Sequence, residues 1–164
     1  MGKSVVISHC SMNIESILAA NRTFCHIAAG SKKKAIERAA TLIAGSAPSL
    51  DADEIYTNLI AREKLGPTAL GNGIALPHCR LAGCTDIIAA LFTMETAIEF
   101  GAMDDLPIDI MFVLLVPEQE VDHHLKAMAM LASKLDSEDY RKGLITAKNN
   151  QMLFERAIRD VSNN

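Results

Sequence analysis

The stretch PIDIMFVLLV, Pro107 to Val116, decides the fold class of this chain. It is apolar nearly throughout, which is the pattern of a strand that is covered on both faces. Such strands occur in layered domains, where helices lie on both sides of a sheet. The stretch therefore predicts a central strand, and a place at an exposed sheet edge would contradict this architecture.

The segments around this strand alternate between strand and helix patterns. They predict an α/β domain with a mixed sheet of about five strands and helices on both faces. The chain is expected to form a single domain, residues 1–164, with weakly ordered ends at about 1–12 and 161–164. Further strands are predicted at Thr23 to Ala28, Ile74 to Leu76 and Ile87 to Met94. Helices are predicted at Asn13 to Ala20, from a cap at Ser31 to about Gly45, from Asp51 or Asp53 to Gly66 and Pro67, and at Val121 to Leu135, Ser137 to Ala147 and Asn149 to Asp160.

Composition excludes several classes of protein. Of 164 residues, 49% are hydrophobic and 22% charged, and the formal net charge is -4. A nucleic-acid-binding domain is usually basic, so none is expected here. The longest apolar run, Met111 to Pro117, is too short to span a bilayer, which argues against membrane insertion. The first residues show no secretion pattern, so we expect a cytoplasmic protein.

Three consecutive lysines, Lys32, Lys33 and Lys34, open the first long helix. The helix dipole disfavours positive charge at that end. We interpret the lysines as a solvated face, with docking of an acidic partner as the alternative.

His78 is the histidine that the local sequence singles out. It ends the loop GPTALGNGIALPH, just after a predicted strand. Pro77 stiffens the backbone before it, and Gly71 and Gly73 permit conformations that are closed to other residues. The pattern fits a nucleophile that is presented to large partners, but it also fits a hydrogen-bonded loop histidine.

Other residues allow weaker alternatives. His123 and His124 are adjacent on a predicted helix, so their side chains point about 100° apart and only one can face a given site. A zinc site from His78, Cys79, His124 and Cys84 can be drawn, although the spacing is not typical of zinc ligands. None of the four cysteines forms a C-x-x-C pair, and a hydrolase that uses Cys79 lacks any sign of a base or an oxyanion hole.

The run REKLGPTALGNGIALPH, Arg62 to His78, resembles the signature of IIA proteins of the phosphotransferase system, in the fructose/mannitol class. The pieces SKKKAIE, LFTMETAIEFGAMDDLPIDIMFVLLVP and HLKAMAMLASKL extend the resemblance over roughly Asn13 to Asp160. Three features resemble the nitrogen-regulatory branch of this family most closely: the free-standing domain, the stretch SKKKAIE and the form of the glycine loop.

The resemblance implies a site and a chemistry. His78 would be the residue that is phosphorylated, with Arg62 at the active site and His124 beside His78. A neutral imidazole is a nucleophile near neutral pH, and arginine offers a fork of donors to phosphoryl oxygens. Neither a metal nor an organic cofactor is implied. The family usually has glycine after the histidine, where this chain has Cys79, a thiol that could be oxidised.

The resemblance also implies partners. The phosphoryl group would come from an HPr-type phosphocarrier, and regulatory targets would include potassium-transport regulators or sensor kinases. A sugar-specific IIA component, which passes phosphate to a IIB domain, is the alternative; an unphosphorylated IIA-like binding module is another. An apolar rim for docking is expected from Leu76, Met103, Ile108 and Leu115.

Overall fold

The computed structural model describes residues 12–119 and 121–159. The ends for which weak order is predicted lie outside the described residues, apart from Met12. The strands are β1 (Leu18–Ile27), β2 (Ala69–Gly71), β3 (Ile74–Ala75), β4 (His78–Leu81), β5 (Ile88–Ile98) and β6 (Ile108–Pro117). The helices are α1 (Lys32–Ser46), α2 (Ala52–Glu63), α3 (Val121–Leu135), α4 (Glu138–Ile145) and α5 (Asn150–Ile158).

Strand β6 is central, as its sequence predicts. The strand order is β1-β5-β6-β3-β2, and β4 also pairs with β6. β6 is antiparallel to β5 and parallel to β3 and β4, whereas β1 is parallel to β5. The sheet is therefore mixed, and the predicted fold class is confirmed.

Helices cover both faces of the sheet, which explains why β6 is apolar throughout. Met111, Val113 and Leu115 belong to the core that α1 and α2 close. Phe112 and Leu114, which alternate with them, belong to the core beneath α3, α4 and α5. Successive side chains of a strand point to opposite faces, so both sets of β6 residues must be apolar.

Several helices start at the capping residues that the sequence predicts. Ser31 accepts a hydrogen bond from the Lys34 N–H, and Asp51 accepts one from the Glu54 N–H. Each side-chain oxygen satisfies a backbone donor that the first helical turn leaves unpaired. The caps therefore fix where α1 and α2 begin.

The predicted helix at Asn13 to Ala20 is wrong. Residues Ile14–Ser16 form a single 3-10 turn, and Leu18 already begins β1. The strand forms because β5, a distant segment, offers a parallel partner. The Arg22 guanidinium donates to the carbonyls of Ala89 and Ile17, bonding backbone oxygens where the register of the two strands shifts.

Two short strands also escape prediction. β2 pairs antiparallel with β3, and β4 pairs with residues 114–117 of β6. β4 contains a proline-preceded histidine, a thiol and an arginine, a composition without strand periodicity. Its conformation is set by the free edge of β6, and it places His78 at the start of a strand and not at the end of a loop.

Candidate functional site

His78 lies half-buried at the first residue of β4, where β4 joins the central strand. The Leu114 N–H donates to the Pro77 carbonyl at 2.9 Å, so the backbone just before His78 is fixed to β6. Proline has a nearly fixed φ angle, which adds stiffness at this position. The histidine is thus held by rigid elements while part of its ring stays accessible.

The hydrogen bonds of the His78 ring select one tautomer. Nδ1 lies 2.9 Å from the Leu76 carbonyl oxygen, which can only accept a hydrogen bond. Nε2 lies 3.3 Å from Nε of Arg62, which can only donate. Both bonds form together only when Nδ1 carries the proton and Nε2 carries the lone pair. The free lone pair therefore points toward the arginine.

Arg62 comes from the last turn of α2, which packs against β4. Its Nη1 donates to the Gly66 carbonyl at 3.0 Å, which orients the guanidinium toward His78. Within residues 12–119 and 121–159, no carboxylate forms an ion pair with Arg62. The positive charge of this arginine is therefore not neutralised by a described carboxylate.

His124 lies beside His78 although α3 is far away in sequence. The two ring centroids are 5.6 Å apart, and the ring planes are tilted by 55°. His124 is half-buried, whereas the neighbouring His123 is exposed, as the helical geometry of adjacent residues requires. The structure thus brings Arg62, His78 and His124 together; their roles in any reaction stay predictions.

The surroundings keep both histidines neutral at neutral pH. Burial has the largest effect and lowers the pKa of His78. The hydrogen bond to the Leu76 carbonyl raises it, the charge of Arg62 lowers it, and Glu63 raises it slightly, so the net shift is downward. Burial also lowers the pKa of His124, as do His78 and Arg80. A neutral imidazole retains the lone pair that a nucleophile needs.

Sequence reasoning missed Arg80 as a candidate. Arg80 lies two residues after His78 on β4, so both side chains leave the same face of the strand. Its guanidinium is exposed and its charge is felt at His124. Side chains two residues apart on a strand share a face. Arg80 would therefore have been a candidate site residue if residues 78–81 had been predicted as a strand.

The lysines that open α1 are not all solvated, as the sequence predicts them to be. Lys33 and Lys34 are exposed, but Lys32 Nζ lies 2.7 Å from Oε1 of Glu63, whose side chain is only 5% exposed. Glu63 follows Arg62 in the chain. An ion pair between two helices thus lies next to the site, and the lysine-rich pattern alone gives no sign of it.

The glycine loop does adopt special backbone conformations. Gly71 and Gly73 have φ angles of 90° and 79°. A Cβ atom at Gly73 would lie 2.9 Å from Oδ1 of Asp109, so both conformation and space require glycine there. The Asn72 N–H donates to Asp104, which ties this loop to the loop that precedes β6.

The apolar rim is not the predicted one. Leu76, Ile108 and Leu115 are core residues, because they belong to strands or strand ends beneath the helices. Of the four residues proposed for the rim, Met103 is fully exposed. Large apolar side chains are also exposed at Leu65, Leu70, Leu106 and Leu125.

The described residues support neither a reactive thiol at Cys79 or Cys84 nor a metal site. Burial raises the pKa of Cys79 to about 12, so it is not the oxidisable thiol that the sequence suggests, nor a nucleophile. Cys84 is also buried with a raised pKa. Among the described residues, no three His, Cys, Asp or Glu side chains form a group that could hold a metal. No helix in the described part of the chain is long and apolar enough to cross a membrane.

Comparisons with known proteins point to one family. Residues 16–159 match the family model for the phosphoenolpyruvate-dependent sugar phosphotransferase system, EIIA 2. A nitrogen regulatory protein of Pseudomonas aeruginosa is 42% identical over 152 residues, covering 93% of this chain and 98% of that protein. A fructose-specific EIIA component of Haloferax volcanii is 32% identical over 120 residues, covering 73% of this chain and 78% of that protein.

A solved structure extends the likeness to the fold. The nitrogen regulatory protein IIA-Ntr of Neisseria meningitidis superposes with a TM-score of 0.77 at 34% identity, covering 88% of this chain and 97% of that chain. The family match includes the strand and the helices that carry Arg62, His78 and His124. The chain belongs to the EIIA 2 family of the phosphoenolpyruvate-dependent sugar phosphotransferase system.

Proposed function

We propose that this chain is a phosphohistidine carrier that accepts a phosphoryl group on His78 from an HPr-type donor. We further propose that it acts as a regulator in the nitrogen-related branch of the system. One observation carries the proposal: the Nε2 lone pair of a neutral His78 points at an arginine that has no carboxylate partner among the described residues. The role belongs to the cytoplasm, where such a donor would be met.

The transfer follows from this geometry. As the phosphoryl group arrives, Arg62 donates to its oxygens and releases the Nε2 lone pair. A bond forms between Nε2 and phosphorus while the nitrogen–phosphorus bond of the donor histidine breaks, and that electron pair stays on the donor. The transfer depends on positioning and charge neutralisation, and Arg62 supplies the positive charge.

The neighbours of His78 make the transfer reversible. The Nδ1 proton stays bonded to the Leu76 carbonyl, so the phosphorylated ring is positive and remains a good leaving group. His124, at 5.6 Å between ring centroids, donates a further hydrogen bond to the phosphoryl group. Arg80 on the same face of β4 adds positive charge at the rim.

The donor would dock on the exposed apolar side chains around the site. Met103 is fully exposed, and its loop packs against the glycine loop that leads to His78. Leu65 follows Arg62 closely, and Leu125 follows His124. A shallow apolar rim around a charged centre suits brief contacts between small proteins.

Regulation would follow from charge. Phosphorylation adds about -1.5 to -2 charges, and a target that packs apolar groups over the unmodified site would then have to bury a dianion. We expect targets such as potassium-transport regulators or sensor kinases to distinguish the two forms by at least about tenfold in affinity, or ~1.4 kcal/mol. Chemical-shift changes should stay near His78, and changes throughout the helices would contradict this mechanism.

Labelling tests the proposal directly. The protein is incubated with phosphoenolpyruvate, enzyme I and an HPr-type donor, and intact mass is measured before and after acid treatment. We expect one acid-labile phosphoryl group, absent in His78→Ala, slower to form in His124→Ala and unchanged in the exposed control His123→Ala. Labelling of the His78→Ala variant would show that another residue is the acceptor.

The sugar-specific alternative differs in the fate of the phosphoryl group. A fructose- or mannitol-type component would pass the phosphoryl group to a IIB domain. The 42% identity to a nitrogen regulatory protein over 93% of the chain favours the regulatory branch over the 32% match to a fructose-specific component. A permease gene beside this one, together with transfer to a IIB domain, would favour the sugar-specific function. An unphosphorylated binding module would fail the labelling test.

A further inference from the structure

Glu63 is a buried carboxylate directly beside the proposed site. Its Oε1 accepts from the Thr68 N–H at 2.9 Å, and its Oε2 accepts from the Thr68 hydroxyl at 2.7 Å. Lys32 Nζ lies 2.7 Å from Oε1. Both oxygens are therefore bonded, and the carboxylate ties the end of α2 to the next turn and to the start of α1.

Lys32 is held in this position by more than the carboxylate. Its Nζ also donates to the Phe100 carbonyl at 3.2 Å and lies 5.0 Å from the centroid of the Phe100 ring. The lysine is the first residue of α1, where the helix dipole disfavours a cation. These contacts of Lys32 all lie outside α1, which indicates that Lys32 acts on Glu63 and not on its own helix.

We infer that Lys32 is a positioning residue for phosphoryl transfer, because it neutralises Glu63 and so leaves Arg62 free to serve His78. The inference rests on the proposed function. Arg62 and Glu63 are consecutive, yet the carboxylate pairs with Lys32, while Arg62 bonds only His78 and the Gly66 carbonyl among its described contacts.

Two effects would follow from the loss of Lys32. The Glu63 carboxylate would lack its lysine partner and would compete for the Arg62 guanidinium. The turn that Glu63 clamps through Thr68 also contains Gly66, whose carbonyl orients Arg62, so the arginine would lose part of its fixed geometry.

The field of Glu63 reaches His78, which makes the inference measurable without phosphorylation. Glu63 raises the pKa of His78, against the lowering by burial and by Arg62. In the described part of the chain, His124 of α3 also faces His78, and Arg80 acts on His124 in turn. A change in the net charge at Glu63 should therefore appear in an NMR titration of the His78 ring.

The test uses four variants and a matched control. Lys32→Met should raise the pKa of His78 by roughly 0.3 to 1 unit, and Glu63→Gln should lower it, because the two changes remove opposite charges. The double variant Lys32→Met/Glu63→Gln should return the pKa to the wild-type value, and Lys32→Arg should keep it. The exposed neighbour Lys33→Met is the control and should leave the pKa unchanged.

Transfer kinetics supply the second measurement. With an HPr-type donor, Lys32→Met should lower kcat by about tenfold with little change in KM, and the double variant should recover most of the rate. Urea unfolding of each variant separates loss of folding from loss of rate. If Lys32→Met does not fold, the double variant still decides, because its neutral pair must restore both the pKa and the rate.

Three results would overturn the inference: pKa shifts of the same sign in Lys32→Met and Glu63→Gln, a wild-type pKa and rate in Lys32→Met, or a folded double variant that stays slow. Failure of the proposed function looks different. Wild-type protein would then take up no phosphoryl group, while the opposite pKa shifts would still show that Lys32 controls the field of Glu63 at His78.

Discussion

Replacement of Arg62 by methionine should raise the pKa of His78, and the size of the rise follows from the structure. Nε of Arg62 and Nε2 of His78 are 3.3 Å apart. Because the positive charge is spread over the whole guanidinium group, we take about 4 Å as the distance between the two charges. Screening as strong as that of bulk water sets the lower limit for this half-buried site, and the repulsion of a protonated ring is then about 1 kcal/mol. That corresponds to a pKa rise of at least roughly 0.7 unit in Arg62→Met.

The same change removes a hydrogen bond to the neutral ring, which acts in the same direction. The assay is a pH titration of the His78 ring resonances in the unmodified protein. Lys64→Met is the control, because Lys64 lies at the end of the same helix but is exposed. An unchanged or lowered pKa in Arg62→Met would refute the assignment of Arg62 as the cation that keeps His78 neutral, and would remove the main electrostatic support for the site.

Three further outcomes are expected. The rate of phosphoryl acceptance should rise with pH with a midpoint below 6.5, the usual pKa of histidine, and stay level at neutral pH. Burial and Arg62 lower the pKa of His78 and so favour the neutral nucleophile, and a midpoint above 6.5 in the pH–rate profile would contradict this prediction. Cys79 should resist alkylation at neutral pH in native protein and react after unfolding in urea, since burial raises its thiol pKa to about 12; rapid native labelling detected by mass spectrometry would disprove it. Phe112→Ala should lower the free energy of unfolding by about 3–5 kcal/mol, because Phe112 is fully buried in the central strand, whereas Leu125→Ala at an exposed position should change it by less than about 0.5 kcal/mol in urea unfolding.

Local chemistry accounts for what the sequence could predict. The apolar run in β6 indicates a strand covered on both faces wherever its partners come from, because both sets of alternating side chains must be buried. Capping by Ser31 and Asp51 involves backbone donors only three residues away. The same holds for the stiff proline before His78, so that residue could be singled out from its own loop.

Tertiary structure alone decided the elements whose conformation depends on distant partners. Residues 18–20 could be assigned to a helix until β5 offered a parallel partner, and β4 becomes a strand only because β6 has a free edge. Their own sequences lack the periodicity that would outweigh such pairing, since strand preference depends strongly on context.

The site divides in the same way. The sequence and its family resemblance placed His78, Arg62 and His124 as candidates, but their convergence depends on where the fold places α2 and α3 relative to His78. The pairing of Lys32 with Glu63 could not be predicted, because the helix that opens with three lysines looks solvated when taken alone. Whether a charge meets water or a buried carboxylate is set by the packing of α1 against α2, which no local pattern encodes.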